Sequence, residues 1–424
     1  MRREFSLGFA RYCDSSDPLN TFRDQFLLPE HAGERATYLC GNSLGLQPGS
    51  AKAFLAEQLD AWQQKAVEGW FEGKKPWLSY HHQIRALLSP ILGAQVDEIS
   101  VMNSLSVNLH LAMVSFYRPS AGRYKILMEA GAFPSDQYIV ASQVRFHGFD
   151  PATAVIEVSP RENEELLRTE DILKAISDHA GELALVLFSG INYYTGQFYE
   201  IGPITRAAHA AGALAGFDLA HAAGNVPLAL HLWNVDFACW CSYKYLNSGP
   251  GGIAGLFVHE KHFSAPYPRF EGWWGNHIDS RFRMEKDFSP SRGAEAWQLS
   301  TSPILLLAIH QAALEIFERA GGINRLREKS IRLTGFLEFV IREVNSRAGS
   351  ERFRIITPAD PAARGCQLSI IARANGREAF QALAANGIIG DWREPDVIRV
   401  SPVPLYNTFE DVYRLGKCLL GMEV

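Results

Sequence analysis

The stretch Cys239-Trp-Cys-Ser-Tyr-Lys-Tyr-Leu-Asn-Ser-Gly-Pro-Gly-Gly252 decides how the rest of the chain is interpreted. It continues an apolar run, Val235 to Cys241, that predicts a buried strand, and it ends in Gly and Pro, which predict a loop. Lys244 therefore stands where a strand gives way to a loop. Aromatic neighbours can desolvate its amine and lower its pKa, as Schiff-base chemistry requires. The alternative is a solvated surface lysine, the commonest kind.

Composition and charge narrow the class of protein. The 424 residues are 47% hydrophobic and 21% charged, with a formal net charge of −5 and a pI near 6.2. The sequence contains no run of Lys and Arg that would predict a nucleic-acid partner. No apolar window approaches the roughly 18 residues of a membrane span, and the N-terminal residues lack an apolar run of signal length. We therefore expect a soluble cytoplasmic protein with no membrane partner.

Six cysteines are scattered along the chain. Only Cys239 and Cys241 are close together, and on a strand they point to the same face, a spacing unlike that of paired zinc ligands. We expect reduced cysteines in the core and no metal site.

Strands and helices alternate between residues 124 and 258. Apolar strands are predicted at 124–129, 154–158, 183–189, 213–218, 237–241 and 253–258, with helices at 134–144, 169–179 and 204–212. This alternation predicts an α/β domain on a mainly parallel sheet that is buried on both faces. We expect this large domain to span residues 51–302. A smaller α+β domain should follow over 303–424, with residues 1–50 packed on it and a helix at 303–320 between the domains.

Chemically capable side chains follow the predicted strands, at the edge where ligands gather in parallel sheets. They belong to Phe133, Asp136, Ser189, Asp218, His221 and Lys244. Each has an ordinary structural alternative, such as capping a turn, packing, or serving as a hydrogen-bonded core imidazole. Six such residues at one sheet edge favour a ligand site.

A helix start is predicted within Met102-Asn-Ser-Leu-Ser-Val-Asn108, directly before an apolar helix at 107–117. Free backbone N–H groups and the helix dipole favour an anion at such a start, and a phosphate would fit there. A simple N-cap by Ser104 or Ser106 is the alternative.

Together these groups suit pyridoxal phosphate (PLP). Lys244 would form a Schiff base, Asp218 would keep the pyridine nitrogen protonated, Phe133 would stack on the ring, and the helix start would hold the phosphate. The motifs of phosphate loops, zinc proteases, serine hydrolases and dinucleotide folds are missing from the sequence. A metal site of Asp218, His221 and His209 is a weaker alternative, because it lacks a convincing third ligand.

Several segments of the chain resemble the kynureninase family, over about residues 38 to 410. The segments are Leu39-Cys-Gly-Asn-Ser-Leu-Gly-Leu-Gln-Pro48, Met102-Asn-Ser-Leu-Ser-Val-Asn-Leu-His110, Ala132-Phe-Pro-Ser-Asp136, Gly216-Phe-Asp-Leu-Ala-His-Ala-Ala-Gly-Asn-Val226, Gly272-Trp-Trp-Gly275 and the stretch around Lys244. The resemblance implies the fold type I architecture of PLP-dependent transferases and a homodimer with active sites at the subunit interface. It also implies hydrolysis of L-kynurenine to anthranilate and L-alanine, in tryptophan catabolism or NAD biosynthesis.

The resemblance also implies roles for individual residues. Lys244 would bond to the cofactor, Asp218 would pair with its pyridinium, Phe133 would stack, and His221 and Ser189 would support the ring. The remaining cofactor-binding residues would be Leu105, Ser106, Pro134, Ser135, Asp136 and Tyr243, with Trp273 and Thr301 reaching in from the partner subunit.

Substrate recognition is likewise implied by the resemblance. Arg399 would grip the α-carboxylate of the substrate bidentately, with Asn42 and Trp70 nearby. Tyr243, or the cofactor phosphate, would relay a proton from the hydrolytic water, although an unperturbed tyrosine is a poor base. Which group activates that water stays open.

Three positions depart from patterns common in the family. Ser106 replaces a usual threonine and keeps the hydroxyl. Trp70 and Thr301 stand where animal-type enzymes that prefer 3-hydroxykynurenine carry His and Asn, so we expect L-kynurenine to be the better substrate. Two other functions stay open: a cysteine desulfurase or lyase on the same fold, which needs a mobile cysteine, and a PLP-binding protein without turnover.

Overall fold

A computed structural model describes residues 3–422. Its central sheet has seven strands, β1 (Ile99–Val101), β2 (Lys125–Glu129), β3 (Val155–Val158), β4 (Leu183–Ser189), β5 (Leu214–Asp218), β6 (Phe237–Trp240) and β7 (Gly255–Val258). Their order is β1-β7-β6-β5-β4-β2-β3. Strand β7 runs antiparallel to both of its neighbours, and the remaining pairs are parallel. The predicted mainly parallel α/β sheet is confirmed.

The helices are α1 (Leu7–Ser15), α2 (Ala51–Lys65), α3 (Tyr80–Leu92), α4 (Leu105–Phe116), α5 (Pro134–Phe146), α6 (Pro151–Ala154), α7 (Thr169–Asp178), α8 (Ile201–Ala210), α9 (Ile278–Arg281), α10 (Ile304–Arg319), α11 (Gly322–Ala348), α12 (Gly376–Ala385) and α13 (Phe409–Leu420). Helix α3 continues through Pro90 and ends at a left-handed Gly93. No helix within residues 3–422 is long and apolar enough to cross a membrane.

Both faces of the large sheet are buried. Consecutive side chains of a strand point in opposite directions, so each strand contributes to two hydrophobic cores. Strand β6 illustrates this arrangement. Phe237 and Cys239 belong to one hydrophobic core, and Ala238 and Trp240 belong to the other. Its four side chains are therefore fixed by packing up to the residue where the Lys244 loop begins.

A second, smaller sheet is antiparallel. Its strands are β8 (Phe353–Ile355), β9 (Leu368–Ala372), β10 (Asp391–Arg393) and β11 (Val397–Val400), in the order β8-β9-β11-β10. Helices α11, α12 and α13 share a hydrophobic core with it. This is the α+β unit that the sequence predicts at the C-terminal end.

Residues 3–50 contact both units. Helix α1 packs on α13, and residues 37–38 pair in parallel with residues 388–389 of the small unit. Phe26 and Leu46, however, lie in the core of the large unit. Helix α10 packs mainly on α2 and α3. The division at residues 50 and 302 stays a prediction, and we propose moving its second boundary to Gly321–Gly322, beyond α10.

Candidate active site

A pocket opens where β4, β5 and β6 end and where α4 and α5 begin. Its lining residues are Ser104, Leu105, Ser106, Phe133, Ser135, Asp136, Ser189, Ile191, Tyr193, Asp218, Ala220, His221, Tyr243 and Lys244. Ten of these were predicted as site residues. They meet here because parallel strands bring their carboxyl ends to the same edge of a sheet. Ile191, Tyr193 and Ala220 were not predicted, although each follows a strand end that was, and Ser104 was predicted only as a possible N-cap.

Lys244 and His221 face each other across the pocket, with Lys244 Nζ 3.0 Å from His221 Nε2. The same ammonium nitrogen lies 5.8 Å from the ring centroid of Phe133 and 5.9 Å from that of Tyr243. Burial, followed by the charges of Lys244 and Arg399, holds the pKa of His221 well below its usual range. A neutral imidazole can accept a hydrogen bond from the lysine ammonium, so this contact orients Lys244.

Two carboxyl groups lie at the floor of the pocket. Asp218 Oδ1 accepts a hydrogen bond from the backbone of Ala220 at 2.7 Å, and burial raises its pKa. Burial, with the carboxylates of Asp218 and Glu129, raises the pKa of Asp136 much further. Two negative charges are therefore disfavoured at this site, and a cationic group in the pocket would stabilise the ionised form of Asp218. A bound cation is favoured beside it.

Glu129, at the end of β2, fixes the position of Ser189. Its side-chain oxygens accept hydrogen bonds from the hydroxyl of Ser189 and, at 3.2 Å, from its backbone N–H. Burial raises the pKa of Glu129 to about 7. The hydroxyl of Ser189 donates to Glu129, so its lone pairs remain for a donor in the pocket.

The start of α4 presents backbone N–H groups to the pocket. Ser104 occupies the cap position in an extended conformation, with φ −116°, but its side chain makes no capping hydrogen bond. The side chain of Ser104 therefore does not cap the first turn of α4. Leu105 and Ser106 line the pocket with their amides unoccupied by a cap, which is the arrangement expected of an anion site.

Tyr243 is a donor and not a base at neutral pH. Burial, reinforced by Cys241, raises the pKa of its hydroxyl above the ordinary value of 10. Its backbone carbonyl accepts the N–H of Gly45 at 2.8 Å, which ties the loop of residues 40–46 to the Lys244 turn. A role in water activation stays a prediction.

Arg399 adjoins the pocket without lining it. It lies on β11, is 1% exposed, and donates from Nη1 to the backbone carbonyl of the pocket residue Tyr193 at 2.6 Å. Its Nη2 contacts Ser43 at 3.3 Å and forms an ion pair with Asp391. Asn42 is buried in the same region, and its amide atoms have no hydrogen-bond partner within residues 3–422. Neither Ser43 nor Asp391 was predicted.

Trp70, Trp273 and Thr301 lie outside the pocket lining. The Trp70 ring packs 5.6 Å from that of Trp77 and 5.7 Å from that of Trp274, while Trp273 remains 45% exposed. Thr301 is exposed as well. Pro134, the remaining predicted residue, is the first residue of α5, beside the pocket residue Ser135. Contact of the first three with a cofactor or substrate stays a prediction.

Two alternatives that the sequence left open, a metal site and a desulfurase cysteine, lose support. His209 Nε2 binds Asp236 at 2.7 Å, so the metal site of Asp218, His221 and His209 does not assemble. The cysteines are buried, apart from Cys418, which is partly exposed on α13. Since none of them lines the pocket, the mobile cysteine that a desulfurase needs is missing from it.

Comparison with known proteins extends this picture. The model of the kynureninase C-terminal domain matches residues 326–419. The kynureninase of Flavobacterium psychrophilum is 51% identical, over 98% of this chain and 97% of that protein. The kynureninase of Xanthomonas campestris pv. campestris is 53% identical over 98% and 97%, and that of Myxococcus xanthus is 53% identical over 99% and 97%.

Solved structures show the same fold at much lower identity. The cystine C-S lyase C-DES in complex with cysteine persulfide has a TM-score of 0.77 at 17% identity, covering 91% of this chain and 98% of that one. The cysteine desulfurase CsdA of Escherichia coli has a TM-score of 0.74 at 18% identity, covering 94% and 97%. These likenesses establish the fold alone. Because relatives sharing about half of their residues cover nearly the whole chain, the chain belongs to the kynureninase family.

Proposed function

We propose that this protein is a PLP-dependent hydrolase that cleaves L-kynurenine into anthranilate and L-alanine. The observation that carries the proposal is the position of Lys244, which meets His221 at 3.0 Å in a pocket that also holds Asp218 and Phe133. The family of the chain supports the same activity. The cytoplasmic location expected from the sequence belongs to this proposal.

The residues of the pocket fit PLP. Asp136 Oδ1 and His221 Nδ1 are buried without a hydrogen-bond partner among residues 3–422, as expected where polar groups await a ligand. Asp218 offers a carboxylate to a pyridinium, the 38% exposed ring of Phe133 offers a stacking face, and the amides of α4 offer a phosphate site. When bound, PLP withdraws electrons from the α-carbon of an amino acid.

Lys244 is the group that moves the substrate's α-proton. Its amine lies in the turn that follows β6, beside the neutral His221, and so can take a proton from the α-carbon and return it at a neighbouring atom. His221 holds the lysine in place through the contact at Nζ. The aromatic rings of Phe133 and Tyr243 have their centroids 5.8 and 5.9 Å from the Nζ of Lys244.

Tyr243 acts as a proton donor in the carbon–carbon cleavage. Water adds to the γ-carbonyl of kynurenine, the Cβ–Cγ bond breaks, and the γ-carbon leaves as the carboxyl of anthranilate. The raised pKa keeps the hydroxyl of Tyr243 protonated, so it can donate a hydrogen bond to the oxygen that gains charge when water adds. The α-amino acid fragment, after protonation at Cβ, is L-alanine.

Arg399 recognises the substrate by its α-carboxylate. Its buried guanidinium contacts the carbonyl of Tyr193 at the edge of the pocket, so it is close to any amino acid bound there. Asn42, with its unpartnered amide, contributes a further polar contact. We expect Arg399→Ala to raise KM for L-kynurenine by about 10 to 100-fold, as for a lost charged hydrogen bond.

The active enzyme is a homodimer in this proposal. Several large apolar side chains of one chain are exposed near residue 280, namely Phe270, Trp273, Ile278, Phe282 and Met284. An exposed apolar patch of this kind favours a subunit interface. Trp273 and Thr301 would complete the pocket of the partner, and Trp70, which packs on Trp274, would lie beside them.

The preferred substrate is L-kynurenine and not 3-hydroxykynurenine. Trp70 and Thr301 support this choice, since neither offers the imidazole or amide found at these positions in enzymes that prefer the hydroxylated substrate. A side-by-side assay should give L-kynurenine the higher kcat/KM. Equal or reversed values would remove this part of the proposal.

One experiment tests the function. The purified protein is loaded with PLP, its absorbance is recorded, and L-kynurenine is added while anthranilate fluorescence is followed. Anthranilate production supports the proposal. A bound, coloured cofactor without anthranilate would instead identify a PLP-binding protein that lacks this turnover, and sulfide release from L-cysteine would identify a desulfurase.

A further inference from the structure

The protein itself engages the Nη1 and Nη2 atoms of the Arg399 guanidinium, whereas Nε has no hydrogen-bond partner among residues 3–422. A guanidinium has five N–H groups, of which Nη2 carries two. Ser43 Oγ accepts from Nη2 at 3.3 Å, and Asp391 Oδ2 pairs with the same nitrogen. The carbonyl of Tyr193 accepts from Nη1 at 2.6 Å. Both N–H groups of Nη2 are therefore occupied.

The carboxylate of Asp391 is placed there by sheet register. Strands β10 and β11 are antiparallel, and Asp391 is the direct partner of Arg399 across the pair. Directly opposite residues share a face of the sheet, so the two side chains must meet. Burial isolates the pair from water, since the side chains of Asp391 and Arg399 are 13% and 1% exposed.

Asp391 has a second cationic neighbour. Arg393 Nη2 lies 3.1 Å from the same oxygen, Asp391 Oδ2, and the Arg393 side chain is 38% exposed. Ser43 also donates its hydroxyl to Asp391. Asp391 would therefore keep a charged partner and a hydrogen bond if it separated from Arg399, and the cost of an unpaired buried charge is avoided.

This arrangement conflicts with simple capture of a substrate carboxylate by Arg399. Bidentate binding uses either the Nη1–Nη2 edge or the Nε–Nη2 edge of a guanidinium, and both edges include Nη2. This inference rests on the proposed role of Arg399. We infer that the Asp391 carboxylate occupies the position of the substrate's α-carboxylate and that, when substrate binds, it leaves Arg399 and pairs with Arg393 alone. Asp391 is a positioning residue that neutralises Arg399 between turnovers and competes with the substrate for it.

Competition of this kind lowers the apparent affinity for any amino acid substrate. The affinity is reduced by the fraction of molecules in which Arg399 is free, so weakening the resident pair should tighten binding. Removing Arg393 should have the opposite effect, because Asp391 then has nowhere to transfer. A merely structural role of this cluster would instead weaken binding in both variants.

The test compares two ligands on the PLP-loaded enzyme. L-Kynurenine carries the α-carboxylate, and kynuramine is the same molecule without it. We expect Asp391→Asn to lower the KM for L-kynurenine by about 5 to 10-fold and Arg393→Gln to raise it by a similar factor. Neither variant should change the Kd of kynuramine. Glu394→Gln is the matched control, because Glu394 lies in the same hairpin and its ion pair, with Arg377 of α12, is exposed.

Several results would overturn the inference: a KM that rises or stays constant in Asp391→Asn, a KM that does not rise in Arg393→Gln, or an equal change for kynuramine. Failure of the proposed function is separately visible, because the unaltered enzyme would then yield no anthranilate. An unchanged KM in Arg399→Ala would remove the premise that Arg399 binds the carboxylate. If Asp391→Asn is too unstable to purify, Arg393→Gln is compared on both ligands, and an unchanged KM for L-kynurenine or an equal change for kynuramine counts against the transfer.

Discussion

At the scale of single residues, the chemistry depends on how burial divides charge among neighbouring groups. Lys244 lies beside an imidazole that its surroundings keep neutral, while burial raises the pKa of both Asp136 and Asp218. These assignments follow from desolvation, which a linear sequence does not display. Residue identity could therefore be predicted, but protonation state could not.

Replacement of Lys244 tests the central assignment. Lys244→Ala should lower kcat for anthranilate formation by at least about 10³-fold, because the general base is removed. It should also abolish the absorbance of the lysine-bound cofactor. Lys52→Ala, at an exposed position on α2, should change neither measurement. Substantial anthranilate formation by the Lys244 variant would refute the role.

Glu129 should make stability depend on pH. Its pKa is about 7 in the folded protein and 4.5 in its ordinary state, so folding favours the protonated form. Stability from this group is complete below pH 4.5 and is lost as pH rises towards 7 and above. The loss is up to about 3 kcal/mol for a fully buried group.

Glu129→Gln cannot titrate, so it isolates that contribution. The Tm of the variant minus the Tm of the unaltered, cofactor-free protein should become more positive between pH 5 and pH 8, as measured by thermal denaturation. Glu157→Gln, exposed on β3, is the control and should show no such trend. A Tm difference that is the same at both pH values would contradict the buried position of Glu129.

At the scale of elements, the loop of residues 40–46 packs closely against the turn that carries Lys244. A Cβ added to Gly45 would lie 2.3 Å from the carbonyl oxygen of Lys244 and 2.8 Å from the Cα of Asn247. Both contacts involve backbone atoms, which cannot move aside as a side chain can. Only glycine permits this approach.

Gly45→Ala should therefore destabilise the protein by about 1–3 kcal/mol, as overpacking does, and should lower kcat by shifting the Lys244 turn. Denaturant unfolding measures the first effect. Gly8→Ala is a matched control, since nothing lies within 4 Å of its added Cβ on α1, and it should be neutral or stabilising by roughly 0.5–1 kcal/mol. Equal stability of the two variants would show that the loop is not tightly packed.

The elements of the large sheet could be predicted because each strand is a continuous apolar run that ends in a chemically distinctive residue. The cluster around Arg399 could not. Asp391 and Ser43 are separated by nearly 350 positions, and they meet only through strand register in the small sheet and the path of the N-terminal loop. Long-range pairing of this kind leaves no local pattern in a single sequence.

At the scale of the whole molecule, the proposed homodimer explains why Trp70, Trp273 and Thr301 are remote from the pocket lining of their own chain. The predicted site is then composite, with Lys244 from one subunit and Trp273 from the other. In this proposed dimer, folding of one chain brings together the pocket residues around Lys244, and the partner subunit contributes Trp273 and Thr301.

Hybrid dimers test this arrangement. Lys244→Ala and Trp273→Ala chains should each be nearly inactive alone. After subunit exchange, a mixed dimer carries both defects in one site and none in the other, so activity should return to about one quarter of normal for random mixing. No recovery, with exchange verified by native mass spectrometry, would mean that Trp273 serves the site of its own chain.

Because the cysteines are buried, the rates at which they are alkylated report conformational opening of the chain. Burial raises the pKa of the buried Cys239 and Cys366 thiols, so they form thiolate rarely and are shielded from reagents. Only Cys418 is partly accessible. An alkylating reagent should therefore add one mass label quickly, and each further label should record an opening event. If bound cofactor slows the labelling of Cys239, the labelling rate reports how often β6, the strand that leads to Lys244, opens.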